Sequence, residues 1–109
     1  MITINDISPM DNTVFMQMKE GDRLMSEAYA EISPESTTAE LVFIRENEPN
    51  LLYDMGKAIL NALDLKGVKR VVCIGGVPEI TLKALRFKAD AEGYLLSLEG
   101  YFTSDCTNK

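Results

Sequence analysis

Residues 39–74 read AELVFIRENEPNLLYDMGKAILNALDLKGVKRVVCI, and their pattern decides the fold. Leu41 to Ile44 is an unbroken apolar run, which suits a strand buried on both faces. Glu46-Asn47-Glu48-Pro49-Asn50 ends it. Leu52, Met55, Ile59, Ala62 and Leu63 then recur at helical spacing. Lys57, Asn61, Asp64 and Lys66 fall largely on the opposite side. Asn50 is the expected N-cap and Gly67 the expected stop. Val68 to Ile74 is a second apolar strand. Strand, helix over residues 51–66 and strand form a β-α-β unit. Its strands are expected to run parallel, with a right-handed crossover.

Upstream of this unit the period is two. Ile2 and Ile4 flank Thr3, and Ser8-Pro9-Met10-Asp11-Asn12 is a loop. Val14, Met16 and Met18 alternate with Phe15, Gln17 and Lys19. Glu20-Gly21-Asp22 supplies a tight turn. In Arg23 to Ile32, Leu24, Ser26, Ala28, Ala30 and Ile32 share one side; Met25, Glu27, Tyr29 and Glu31 share the other. A strand pair is the economical reading. A helix over residues 22–31 is its rival, because Leu, Met, Glu and Ala also suit helices. Ser33-Pro34-Glu35-Ser36-Thr37 turns the chain again. Downstream, Gly75-Gly76-Val77-Pro78 is a loop, and Pro78 opens a short helix with Ile80, Leu82, Ala84, Leu85 and Phe87 as its apolar contacts. Ala91-Glu92-Gly93 turns, Tyr94 to Leu98 is the last strand, and Thr103 to Lys109 is a polar tail. The expected order is β-β-β-β-α-β-α-β.

The 109 residues fit a single domain over 1–109. Seventeen acidic residues against eleven basic ones give a net charge of −6. Beyond Lys66, Lys69 and Arg70 there is no basic cluster, which disfavours nucleic acid and anionic membrane surfaces as partners. No apolar run approaches the length a membrane helix needs. The chain has no histidine, so the commonest general base and zinc ligand are missing, and no metal site is expected. Cys73 and Cys106 are far apart in sequence and build no metal motif. A cytoplasmic, reducing setting is expected, with Cys73 a small buried hydrophobe. Met10, Met16, Met18 and Met25 are candidates for an acyl pocket, a dimer interface or plain core filling.

Over residues 38–102 the sequence resembles the GNAT superfamily of acyl-CoA-dependent N-acyltransferases. Leu41-Val42-Phe43-Ile44, Met55-Gly56-Lys57-Ala58-Ile59-Leu60 and Gly67-Val68-Lys69-Arg70-Val71 follow that family's central strand, helix and strand. Leu85-Arg86-Phe87 stands where Leu-Gly-Phe is usual. The resemblance implies an α/β (α+β) fold: a mixed, mostly antiparallel sheet with a central parallel β-α-β unit. It implies acetyl-CoA or another acyl-CoA as cofactor and a small-molecule amine as acceptor. The cofactor would lie where the parallel strands splay, with its pyrophosphate at the start of the central helix. That assigns Phe43, Ile44, Arg45, Gly56 and Lys57 to the cofactor.

The family's phosphate loop, Gln/Arg-x-x-Gly-x-Gly/Ala, reads Leu51-Leu52-Tyr53-Asp54-Met55-Gly56 here. Only the last glycine matches, and Asp54, Glu46 and Glu48 add negative charge beside it. Gly56 can equally be a close-packing residue, Asp54 a simple complement to the helix dipole, and Gly75-Gly76 a plain strand-to-helix turn. The tyrosine four residues before the usual Gly-Phe glycine is Leu82 here. Tyr101 is taken as the candidate general acid, with Tyr53 and Tyr94 as alternatives. Glu46, at the end of the central strand, is the candidate base, ahead of Glu40 and Glu99. The family's helix pair between its first two strands has no room in Ser8–Asn12. A homodimer would then complete the acceptor site. The rival reading is a non-catalytic GNAT-like module that binds a metabolite or protein partner.

Overall fold

Alternating apolar residues in the first half of the chain build an antiparallel meander. The computed structural model describes residues 2–8, 10–35, 37–91 and 93–102. Its strands are β1 (Ile2–Asp6), β2 (Thr13–Glu20), β3 (Arg23–Ile32), β4 (Thr38–Glu46), β5 (Arg70–Cys73), β6 (Lys88–Asp90) and β7 (Gly93–Ser97). Its helices are α1 (Leu52–Leu65) and α2 (Glu79–Ala84). All the strands join one sheet in the order β1-β2-β3-β4-β5-β7-β6. Only the β4–β5 pairing is parallel. The expected mixed sheet around a parallel β-α-β unit is therefore present, and the rival helix over residues 22–31 is not: Asp22 is in the turn and Arg23 to Glu31 are strand.

The sequence reading needs correction in several places. It had no strand at Lys88–Asp90. All three of these residues are exposed, so no apolar alternation marks them; pairing to Gly93–Leu95 makes them a strand. Ile74 lies outside β5 and is 67% exposed. The simple alternation of β3 fails at Met25. The register jumps from Met18↔Ser26 to Lys19↔Leu24, which leaves Met25 as the extra residue of a bulge. Met25 and Ser26 are consequently both buried. Of the four N-terminal methionines, Met18 and Met25 fill core, Met16 packs on its margin, and Met10 is exposed. Cys106 and the polar tail lie outside the described residues.

α1 lies across β2, β3 and β4, burying Met55, Ile59, Leu60 and Leu63 completely. Asn50 does not cap it. Its backbone turns left-handed at φ 67°, and Leu51 is the N-cap without any side-chain cap bond. The other end closes as expected at Gly67 (φ 91°). Val68 N–H donates to Leu63 O at 3.1 Å, and Gly67 N–H to Asp64 O at 3.0 Å. This is a Schellman closure, with buried Val68 and Leu63 as its apolar pair. α2 ends the same way. Phe87 N–H donates to Leu82 O at 2.9 Å, and Arg86 N–H to Lys83 O at 3.0 Å. Here the left-handed position is Arg86, at φ 76°.

Phe15, Tyr29 and Phe43 are register neighbours on the sheet face away from α1. Phe43 stacks on Tyr29 at 5.8 Å, and Phe15 meets both rings edge-on. No helix among the described residues covers this face.

Candidate functional site

β4 and β5 pair only through Thr38↔Arg70, Ala39↔Val71 and Glu40↔Val72. Just beyond, the β3–β4 register skips Val42, so β4 bulges where its pairing to β5 stops. The β5–α2 loop then returns to β4: Ile44 N–H donates to the Gly76 carbonyl at 3.2 Å. Gly76 has φ 80°, and a Cβ there would fall onto the Val42 carbonyl oxygen. The opening between the parallel strands is thus bridged at its outer end by backbone that only glycine can provide.

Two concave surfaces flank the start of α1. A 430 Å³ cleft is lined by Glu46, Asn50, Leu52 and Tyr53 on one side and by Ile80, Thr81 and Ala84 of α2 on the other. Glu46 is fixed at its rim, because its Oε1 accepts the Leu51 N–H at 2.9 Å. The Leu52, Tyr53 and Asp54 amides have no protein partner among the described residues. They leave a positive helix end facing the cleft, opposed by the Asp54 carboxylate in the same turn. A 530 Å³ groove lies further along α1, walled by Tyr53, Lys57, Arg86, Ser97, Glu99 and Tyr101. Tyr53 and Ala84 border both surfaces.

The sequence-assigned residues are distributed over three places. Glu46 lies in the cleft. Lys57 and Tyr101 lie in the groove, where the Lys57 ammonium sits 4.7 Å from the Tyr101 ring centroid. Tyr101 donates its hydroxyl proton to Leu85 O at 2.8 Å. Its pKa is raised, first by burial and then by the neighbouring Tyr53, against an opposing pull from Arg86. Phe43 and Arg45 are on the helix-free face, with Arg45 over the Phe43 ring at 4.0 Å and 3.3 Å from Glu27. Ile44 and Gly56 are buried in packing. A Cβ on Gly56 would stand 2.5 Å from Leu85 Cδ1 and 3.3 Å from Ile44 Cδ1.

Glu46 and Tyr101 therefore do not meet in one cavity. The phenol beside Glu46 is Tyr53, one of the alternatives. Tyr94 is engaged elsewhere: it donates to Glu79 Oε2 at 2.6 Å, a bond that raises the phenol's pKa and lowers the carboxyl's. Glu40 sits back in the paired part of β4, and Glu99 is in the groove. Arg86 is a groove residue that the sequence reading did not select; its only signal was its place at a usual glycine. Cys73 is buried, and burial pushes its thiol from 9.0 to about 11, which makes it a poor nucleophile.

No protein-family model and no curated protein matches the chain. Solved structures do match. The ribosomal-protein-S18-alanine N-acetyltransferase of Escherichia coli superposes with a TM-score of 0.72 at 11% identity, over 90% of this chain and 94% of its own. YhhK of Escherichia coli, assigned as an N-acetyltransferase and solved with coenzyme A bound, gives 0.62 at 18% identity, over 85% and 77%. An acetyltransferase from Thermus thermophilus gives 0.55 at 18%, over 84% and 67%. Together with the parallel β4–β5 pair and the helix that crosses between them, these superpositions show that the chain has the GNAT acetyltransferase fold.

Proposed function

We propose that the protein is an acyl-CoA-dependent N-acyltransferase acting on a small amine. The observation that carries this reading is the parallel β4–β5 pair, whose pairing stops at Glu40↔Val72 beside an uncapped helix start and a cleft. Acyl-CoA would supply the acyl group as a thioester. The amides of Leu52 and Tyr53 and the Thr81 hydroxyl are the groups that would hold its polar atoms in the cleft. Glu46 uses one carboxylate oxygen on Leu51 N–H, which leaves the other to take a proton from the amine, directly or through water. Tyr53, which lines the same cleft, would give a proton to the leaving thiolate. Tyr101 is worse placed, because its proton is committed to Leu85 O.

Incubation of the full chain with acetyl-CoA and a panel of amines, read by release of free CoA thiol, tests the reading. Amine-dependent release is expected, with Glu46→Gln lowering kcat by about 100-fold, in the range typical of a lost general base. A melting temperature that millimolar CoA leaves unmoved, together with no release from any amine, would overturn it. The second reading, a non-catalytic binding module, is favoured by the Gly76 bridge across the strand opening.

The proposal includes a homodimer. The β1 edge is fully exposed, with Ile2 and Ile4 at 54% and 43%, and the described residues of the β1–β2 connection form no helix. Sedimentation of the wild type and of Ile4→Lys reads this directly. A dimer that the charge dissociates is expected, and a monomeric wild type contradicts it.

A further inference from the structure

We infer that Ser26 is a positioning residue for Glu46, which it aims through the backbone of β4. The inference rests on the acyltransferase reading for what Glu46 does, but not for how Glu46 is held. Glu46 is the last residue of β4, and Ser26 of β3 is its register partner. Glu46 is exposed, so packing does not aim its side chain. The aim has to come from the backbone. A Cα–Cβ bond leaves the chain in a direction set by the two rigid peptide planes on either side of that Cα. Both planes beside Glu46 are held from β3. Ser26 Oγ donates to the Arg45 carbonyl at 2.6 Å, which fixes the plane before Glu46. Asn47 N–H donates to Met25 O at 2.7 Å, which fixes the plane after it. Asn47 Nδ2 also donates to Leu24 O at 3.1 Å. The extra residue of the bulge, Met25, brings these two carbonyls together in front of Asn47. The carboxylate aimed in this way meets the Leu51 N–H at 2.9 Å, at the start of α1.

The Met25–Asn47 bond joins backbone to backbone, and any residue other than proline could make it. The Ser26 bond needs a hydroxyl. Ser26, Ala28 and Ala30 alternate with Glu27 and Tyr29, and all three are buried on the face toward α1. Alanine satisfies the packing of that row twice. A third alanine would fill it with no polar atom to satisfy. A buried hydroxyl is tolerated only with a partner, and this one finds it in the peptide group joined to Glu46. A bond that merely fastened β3 to β4 would act whether or not residue 46 were a carboxylate. A double-mutant cycle separates the two roles.

The assay uses acetyl-CoA and whichever amine of the panel is turned over fastest, on the full chain as wild type, Ser26→Ala, Glu46→Gln and the double variant. Ser26→Ala is expected to lower kcat about tenfold in the wild type and by less than about twofold beside Glu46→Gln, with KM for acetyl-CoA unchanged, because a misaimed base matters only while the base is there. Equal losses in the two backgrounds, or no loss in the wild type, overturn the inference. A second measurement needs no turnover. Amide exchange followed by NMR should be about threefold faster at Leu51 in Ser26→Ala, with Leu96 unchanged, because the Leu51 N–H loses a fixed acceptor. Exchange at Leu51 that matches the wild type, or Leu51 and Leu96 accelerating together, overturns the inference. If no amine is turned over and Leu51 alone accelerates, the acyltransferase reading falls while the hold of Ser26 on Glu46 stands.

Discussion

Gly56 shows how far a single residue can be read from sequence. Its helical spacing was legible, and so were two roles for it, phosphate contact or close packing. What separates them is Leu85, nearly thirty residues away, and nothing local to Met55-Gly56-Lys57 announces that contact. In an exposed helix, glycine to alanine gains about 1 kcal/mol. At Gly56 the new methyl would stand 2.5 Å from Leu85 Cδ1, between α1, α2 and β4. Gly56→Ala is therefore expected to destabilise the protein by about 1–3 kcal/mol, as overpacked cores do. Urea denaturation measures it, and a gain in stability would show that the helices have room to part. Glu46 was legible for a different reason. The end of a strand before a helix is a mouth in this architecture, and a carboxylate there faces the cleft. The separation of Tyr101 from it was not legible, since that depends on which side of α1 the chain passes after β7.

At the scale of elements, strands with alternating apolar residues and the long amphipathic helix could be read directly, because each buries one face. β6 could not, because Lys88, Ala89 and Asp90 are all exposed and only pairing defines them. The bulges at Met25 and Val42 escaped for a related reason: an extra residue in a strand is fixed by its partner's register. The β5–α2 loop matters most for function. Its Gly76 carbonyl holds the Ile44 N–H, a β4 donor at the strand opening. Gly76→Ala cannot keep that approach, both because of φ 80° and because its Cβ would overlap Val42 O. The variant is expected to lose about 1–3 kcal/mol, the usual cost of a side chain where the backbone demands glycine. Amide exchange at Ile44 should accelerate. Acetyl-CoA should bind more tightly despite the lower stability, because a backbone donor has been released. Weaker or unchanged acetyl-CoA binding would separate this loop from cofactor access.

For the whole molecule, the net charge of −6 and the missing histidine were legible in the sequence, while which cations pair with carboxylates had to come from the fold. The core also makes a pH prediction. The Cys73 thiol, mainly through burial and with a smaller push from Glu40, ionises near pH 11 in the folded chain instead of the ordinary 9.0. Between these values the unfolded chain releases a proton that the native state retains. Its contribution to stability is whole below pH 9 and disappears as pH climbs toward 11. The loss should be about 2 kcal/mol, read as the difference between wild type and Cys73→Ala in denaturation at pH 8 and pH 11. Equal pH dependence in the two proteins would show that the thiol contributes nothing.

The short parallel contact between β4 and β5 also carries a kinetic consequence. β1 to β4 zip through hairpins between sequence neighbours, whereas β5 reaches β4 only after about thirty residues have been looped out, and three register pairs secure it. The meander is thus able to condense first, with β5, β7 and β6 docking late onto a finished edge. In native-state hydrogen exchange, Val71 and Leu96 should open at a lower free energy than Ala28 and Ala30, so that the molecule comes apart along the same seam that shapes its mouth.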